Sequence, residues 1–219
     1  MNLLQRTYLR ISLNLVFLFI VSLDFLVYLF YRYQLETDSL YQKSLSSKIS
    51  SDQLEKIISL RNTSYFSGPL INSLLFIGST LSITGIIIFG LYLFDYVVNF
   101  KETLKAVLVG KVVFIGMSVI NGVYFLFYKP ESLLELRHRN LLSVQSLFSY
   151  DSLSNTEASA LGAINIFEFA FMLLTATCLA TFYRKNDGVQ SFFRVILGSY
   201  GISFFIFMLI KVYFSMNTK

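Results

Sequence analysis

The chain has 219 residues, 55% of them apolar and only 14% charged, with a mean hydropathy of +0.62. Soluble domains carry roughly 25% charge, so this composition excludes an ordinary soluble domain and argues against disorder, a coiled coil, a disulfide scaffold and a nucleic-acid binder. The net charge of +5 comes from 18 Lys and Arg dispersed along the chain with no run long enough to track phosphates, which points to membrane topology instead.

A bilayer core about 30 Å thick takes roughly 20 apolar residues per helical crossing. The first such stretch covers about 11–31. It contains Asp24, is too long for a cleavable signal and lacks a small-x-small cleavage site, so it reads as a signal anchor. In the outer loop that follows, Asp52 with Glu55 forms a capping pair ahead of Leu54, Ile57 and Ile58, which predicts a short surface helix. The second span covers about 70–92 and is expected to continue through Tyr96 to Phe100 along the inner interface.

The third span covers about 106–128. After it, Pro130 predicts another surface helix with Leu134, Leu141, Val144 and Phe148 on one side. Ser154 to Glu157 forms a Ser-x-x-Glu box, so the fourth span, about 161–183, is expected to start near Asn155 and project above the membrane. The fifth span covers about 193–214. The fold class is therefore an all-α polytopic membrane protein, with one five-span domain over 1–219.

Positive charge in short loops stays cytoplasmic. With the N-terminus inside, the inner segments (Arg6, Arg10, Lys101, Lys105, Lys111, Arg184, Lys185 and Arg194 against Asp95, Glu102 and Asp187) net +5, and the outer segments net +2. This places the N-terminus in the cytoplasm and the C-terminus outside.

Ionisable groups inside a span cost about 2.5 to 3.5 kcal/mol to insert at its centre, which makes them the default functional candidates. Asp24 and Glu168 each lie seven residues, roughly 10 Å, below the outer end of their span. Asn121 of the third span falls at the same level, and Asn165, Glu168 and Thr175 recur on one side of the fourth. Asp24, Asn121, Asn165 and Glu168 thus form a candidate intramembrane polar layer, either a site for a proton or cation or a set of interhelical hydrogen bonds. Lys111 is placed near the cytoplasmic end of its span, where its side chain snorkels. Gly78 with Ser82, Ser118 with Gly122, and Ala176 with Ala180 are small-xxx-small pairs read as helix-packing positions.

No catalytic motif is present. The single Cys178 lies deep in the fourth span and the single His138 lies in a loop, so neither a metal cluster, a disulfide nor a cofactor site is expected.

The order of features resembles the bacterial branch of the Yip (Ypt-interacting protein) domain family. The likeness rests on Asn99-Phe100-Lys101-Glu102-Thr103-Leu104-Lys105-Ala106, on Ile164-Asn165-Ile166-Phe167-Glu168-Phe169, and on the turn Arg184-Lys185. The family pattern commonly has a Trp after the Asn-x-Phe element, where this chain offers Phe169 or Phe171, and a glycine later in span four, where it has Thr177 or Cys178. Eukaryotic members bind Rab-type GTPases through a long cytoplasmic N-terminal segment. Only ten residues precede span one here, so Rab binding does not carry over. The resemblance implies a fold and a role as partner of other membrane proteins. The expected function is a non-enzymatic scaffold or accessory subunit of a larger complex, homo- or hetero-oligomeric, in the bacterial cytoplasmic membrane. The alternatives are a proton- or ion-coupled transporter using the Asp24 and Glu168 layer and, third, a lipid-modifying enzyme.

Overall fold

The computed structural model describes residues 12–46, 49–63, 67–148, 155–183 and 188–217. The basic flanks Arg6, Arg10, Arg184 and Lys185, Asp187, and the Ser154 end of the capping box lie outside them. Among the described residues the chain is all-helical, with one isolated β-bridge. Five helical stretches are long and apolar enough to cross a membrane: Leu13–Leu35, Ser67–Leu93, Phe100–Phe127, Ile166–Tyr183 and Val189–Tyr213. Within the most apolar 18-residue stretch of each, 11 to 44% is buried inside the protein.

The first crossing is α1 (Leu13–Phe30) continued by a π-helical turn over Tyr31–Leu35, closed where the Glu36 N–H donates to the Tyr31 carbonyl at 2.9 Å. It runs four residues beyond the expected end. A helix not foreseen from sequence, α2 (Asp38–Leu45), follows directly, because Thr37 caps it by accepting from the Leu40 N–H at 3.3 Å. The surface helix α3 (Ser51–Thr63) is present but starts on a different cap. Ser50 and Gln53, not Asp52 and Glu55, make the reciprocal pair, at 3.4 Å from the Gln53 N–H to the Ser50 hydroxyl and 3.2 Å from the Ser50 N–H to the Gln53 side chain.

The second crossing, α4 (Ser67–Leu93), ends sharply. Asp95 takes a left-handed φ of 57°, the Tyr96 N–H donates to the Leu91 carbonyl at 3.0 Å and the Asp95 N–H to the Tyr92 carbonyl at 3.1 Å. This is a Schellman-type stop, and it replaces the expected extension through Tyr96 to Phe100. Tyr96 instead packs its ring against Tyr183 and Phe192. Asn99 then caps α5 (Phe100–Phe127), accepting from the Glu102 N–H at 3.3 Å, so the third crossing begins six residues earlier than expected.

Beyond it, Ser132, not Pro130, caps the six-residue α6 (Leu133–His138) by accepting from the Glu135 N–H at 3.1 Å. The helix stops at His138, so Leu141, Val144 and Phe148 belong to a separate segment that includes the 3-10 turn Val144–Leu147. The fourth crossing does not rise unbroken from Asn155. The chain forms α7 (Asn155–Ala163), breaks at Ile164 and Asn165, and restarts as α8 (Ile166–Tyr183). At the break, the Asn165 amide donates to the carbonyls of Gly162 and Ala163, and the Val144 N–H takes the Ile164 carbonyl at 2.9 Å. The last crossing is α9 (Val189–Ile196), a π-helical turn over Leu197–Gly201, and α10 (Ile202–Asn217).

These elements form two units, 1–23 with 76–114 and 166–219, and 24–75 with 115–165. The core of the first joins Ile87, Leu91, Val107, Phe171, Leu179 and Phe192. Glycine lets its helices close. A side chain at Gly90 would meet Ser199 at 2.5 Å, and one at Gly110 would meet Phe171 at 2.9 Å. The core of the second is smaller, joining Leu35, Leu40, Phe125 and Leu136.

Candidate functional site

The 24–75/115–165 unit holds an open pocket of about 370 Å³ lined by Asp24, Arg32, Glu36, Asn72, Asn121 and Arg139 with Tyr31 among its aromatic walls. Asp24 lies on α1 and accepts from the Asn72 amide of α4 at 2.8 Å. About two turns further along, the π-helical turn brings Tyr31 and Arg32 to the same pocket. The Tyr31 hydroxyl donates to the Ser118 carbonyl at 2.8 Å, which ties α1 to α5. A side chain at Gly122 would meet Phe30 at 2.8 Å and Tyr31 at 3.1 Å, so this pair of helices packs through the glycine.

Arg32 donates to the Arg61 carbonyl and stands 3.8 Å from Glu36. Arg61 returns a hydrogen bond to the Arg32 carbonyl at 3.3 Å, pairs with Asp38 and stacks 5.1 Å over the Tyr41 ring, so α1, α2 and α3 are locked around it. Arg139 pairs with Glu135 and lies 5.5 Å over the Tyr124 ring.

Asn121, only 6% exposed, organises the far loop. Its amide donates to Asn140 at 2.8 Å and its carbonyl oxygen accepts from the Leu141 N–H at 3.2 Å, while Asn140 donates to the Gly162 carbonyl at 3.0 Å. Asn165 shares that Gly162 acceptor at 3.2 Å. Asn121 and Asn165 therefore belong to one hydrogen-bond network, and Asp24 joins Asn121 at the cavity wall.

Glu168 belongs to the other unit, where the Tyr200 hydroxyl donates to its carboxylate at 2.9 Å. Thr175, fully buried there, has no hydrogen-bond partner for its hydroxyl among the described residues. Because the helix restarts after Asn165, Asn165 falls outside α8, while Glu168 and Thr175 lie on it seven residues apart.

That unit also holds a group the sequence reading misplaced. Lys111 does not snorkel; it is 5% exposed, and about 17 Å along α5 from Phe100 at 1.5 Å per residue. Its ammonium donates to the Ser79 hydroxyl at 2.5 Å, the Thr80 hydroxyl at 3.0 Å and the Phe76 carbonyl at 3.2 Å, and stands 4.2 Å from the Phe76 ring centre. The early Asn99 cap was the available signal, since it moves Lys111 from the end of the helix towards its middle.

The packing pairs divide. Ser118 with Gly122 and Ala176 with Ala180 contribute to close packing, whereas Ser82 is exposed and a side chain at Gly78 meets nothing within 4 Å among the described residues. Among those residues no three His, Cys, Asp or Glu side chains gather as a metal site requires. What the pocket offers is acids, guanidinium groups and amides gathered in one open cleft, a complement to a small polar molecule carrying both charges. No family model, no curated protein and no solved structure matches the chain.

Proposed function

We propose that this multi-pass membrane protein binds a small zwitterionic solute in the cavity of its 24–75/115–165 unit and serves as a transporter or transporter subunit. The observation that carries this reading is the pocket itself, where Asp24 supplies a carboxylate for a cationic group, and Arg32 and Arg139, although paired with Glu36 and Glu135, each carry further N–H donors for an anionic one. Asn72 and Asn121 supply neutral donors and acceptors that fix orientation. Asp24 carries the role, without Glu168, which belongs to the other unit. The test is binding of amino acids, betaines, simple cations and simple anions by the full chain in nanodiscs, followed by uptake in liposomes. Asp24→Asn is expected to weaken the zwitterions at least tenfold. Equal affinity of the parent and Asp24→Asn for every solute would refute the reading.

The scaffold role is a second reading, in keeping with the Yip resemblance. It is supported by the open face of α4 at Gly78, Ser82 and Gly85 together with a groove of about 550 Å³ that Gly85, Gly90 and Gly198 help to line. Filling the groove with Gly85→Leu is expected to break an oligomer in mild detergent. A parent that migrates as a monomer would remove this reading.

A further inference from the structure

We propose that a second cavity, at the end of α5 in the 24–75/115–165 unit, binds the headgroup of an anionic phospholipid. This cavity holds about 600 Å³, and four elements build it, among them α6, whose Glu135 and cap residues Ser132 and Arg139 line it. The last turn of α5 supplies Tyr124, and Tyr128, stacked on it at 4.8 Å, follows just past the helix end with Lys129 next. Helix α2 supplies Lys43, and the 3-10 turn Val144–Leu147 supplies Gln145.

The charge left for a ligand is positive. The Glu135 carboxylate is already taken by Arg139 on one oxygen and by the Glu131 N–H at 2.7 Å on the other. Lys43 and Lys129 then stand against Glu131 alone. Gln145 is 2% exposed, and neither its amide nitrogen nor its amide oxygen has a hydrogen-bond partner among the described residues. Buried amides are almost always paired, so a donor and an acceptor together at the wall of a cavity point to a ligand with hydroxyl or ester oxygens.

Position selects a lipid over a soluble phosphate. The cavity lies where a membrane crossing ends, at a depth suited to tyrosine rings. Phe127 and Leu147 beside it are 79% and 81% exposed, an apolar surface for acyl chains. Lys43 and Lys129 also border a neighbouring cavity of about 410 Å³ that adds Leu40, Leu126 and Pro130, where the glycerol and first methylenes fit. Basic pockets at the ends of membrane helices suit anionic headgroups.

The full chain in nanodiscs of phosphatidylcholine with phosphatidylglycerol tests this by lipid-retention mass spectrometry. The parent is expected to retain phosphatidylglycerol over phosphatidylcholine. K43Q/K129Q removes two exposed charges and is expected to lose about 30-fold in phosphatidylglycerol affinity, at roughly 1 kcal/mol per lysine and 1.4 kcal/mol per decade. K43R/K129R is expected to retain the preference. Q145L is expected to lose about tenfold, and if it fails to fold the exposed lysine pair decides. Equal retention of the two lipids, or parent-like affinity in K43Q/K129Q, would overturn the proposal. Displacement by millimolar inorganic phosphate as effective as by short-chain phosphatidylglycerol would overturn the lipid as the source.

Discussion

Lys111 provides the sharpest test of how this protein tolerates charge in a crossing. Inserting a lysine at the centre of a span costs about 2.5 to 3.5 kcal/mol. Three hydrogen bonds from its ammonium, to Ser79, Thr80 and the Phe76 carbonyl, contribute about 1.5 to 3 kcal/mol each, and the Phe76 ring at 4.2 Å adds up to about 2 kcal/mol. The cradle therefore offsets the insertion cost. Removing it while keeping the charge, in Ser79→Ala/Thr80→Val, takes away both hydroxyl acceptors of the ammonium and is expected to destabilise by about 3 kcal/mol or more. Removing the charge, in Lys111→Met, deletes the insertion cost together with its compensation, and the two hydroxyls keep their own bonds to the Phe76 carbonyl at 2.9 and 2.6 Å. That variant is expected to stay within about 1 kcal/mol of the parent. Reversible unfolding of the full chain in mixed micelles measures both. A methionine variant less stable than the cradle variant would refute the reasoning.

Three further expectations follow from the packing and the caps. Gly122→Val forces Phe30 and Tyr31 apart and is expected to destabilise by about 1 to 3 kcal/mol, whereas Gly78→Ala, facing open space, is expected to be neutral or to stabilise by up to about 1 kcal/mol; thermal unfolding in detergent compares them, and equal effects would contradict the assigned packing. Asn121→Leu removes the acceptor of the Leu141 N–H and the donor to Asn140, so it is expected to lose about 1 to 3 kcal/mol and to speed hydrogen exchange at Leu141; an unchanged exchange rate would show that the loop is held otherwise. Ser50→Ala is expected to lose about 1 kcal/mol of α3 stability and Asp52→Ala much less, as hydrogen exchange across 51–63 reports; the reverse order would restore the cap read from sequence.

Composition and hydropathy alone determined the all-α class of the described residues and the five helices long and apolar enough to cross a membrane, because some 20 consecutive apolar residues have no other stable destination. They also marked Asp24 and Asn121 as intramembrane polar groups, since the cost of such groups is set by the solvent and not by the fold. Helix ends were harder to read. Ser50, Asn99 and Ser132 compete with nearby residues of equal capping ability, and the choice depends on which backbone N–H groups the neighbouring turns leave unpaired. The Schellman stop at Asp95 depends on a left-handed φ that aspartate adopts only where the chain must turn. Tertiary structure alone decided the partners. Asn72 for Asp24, Asn140 for Asn121, Tyr200 for Glu168 and the hydroxyls for Lys111 come from other elements, between 19 and 48 residues away in the chain. Local patterns report what a residue costs to bury; only packed helices determine which group meets it there.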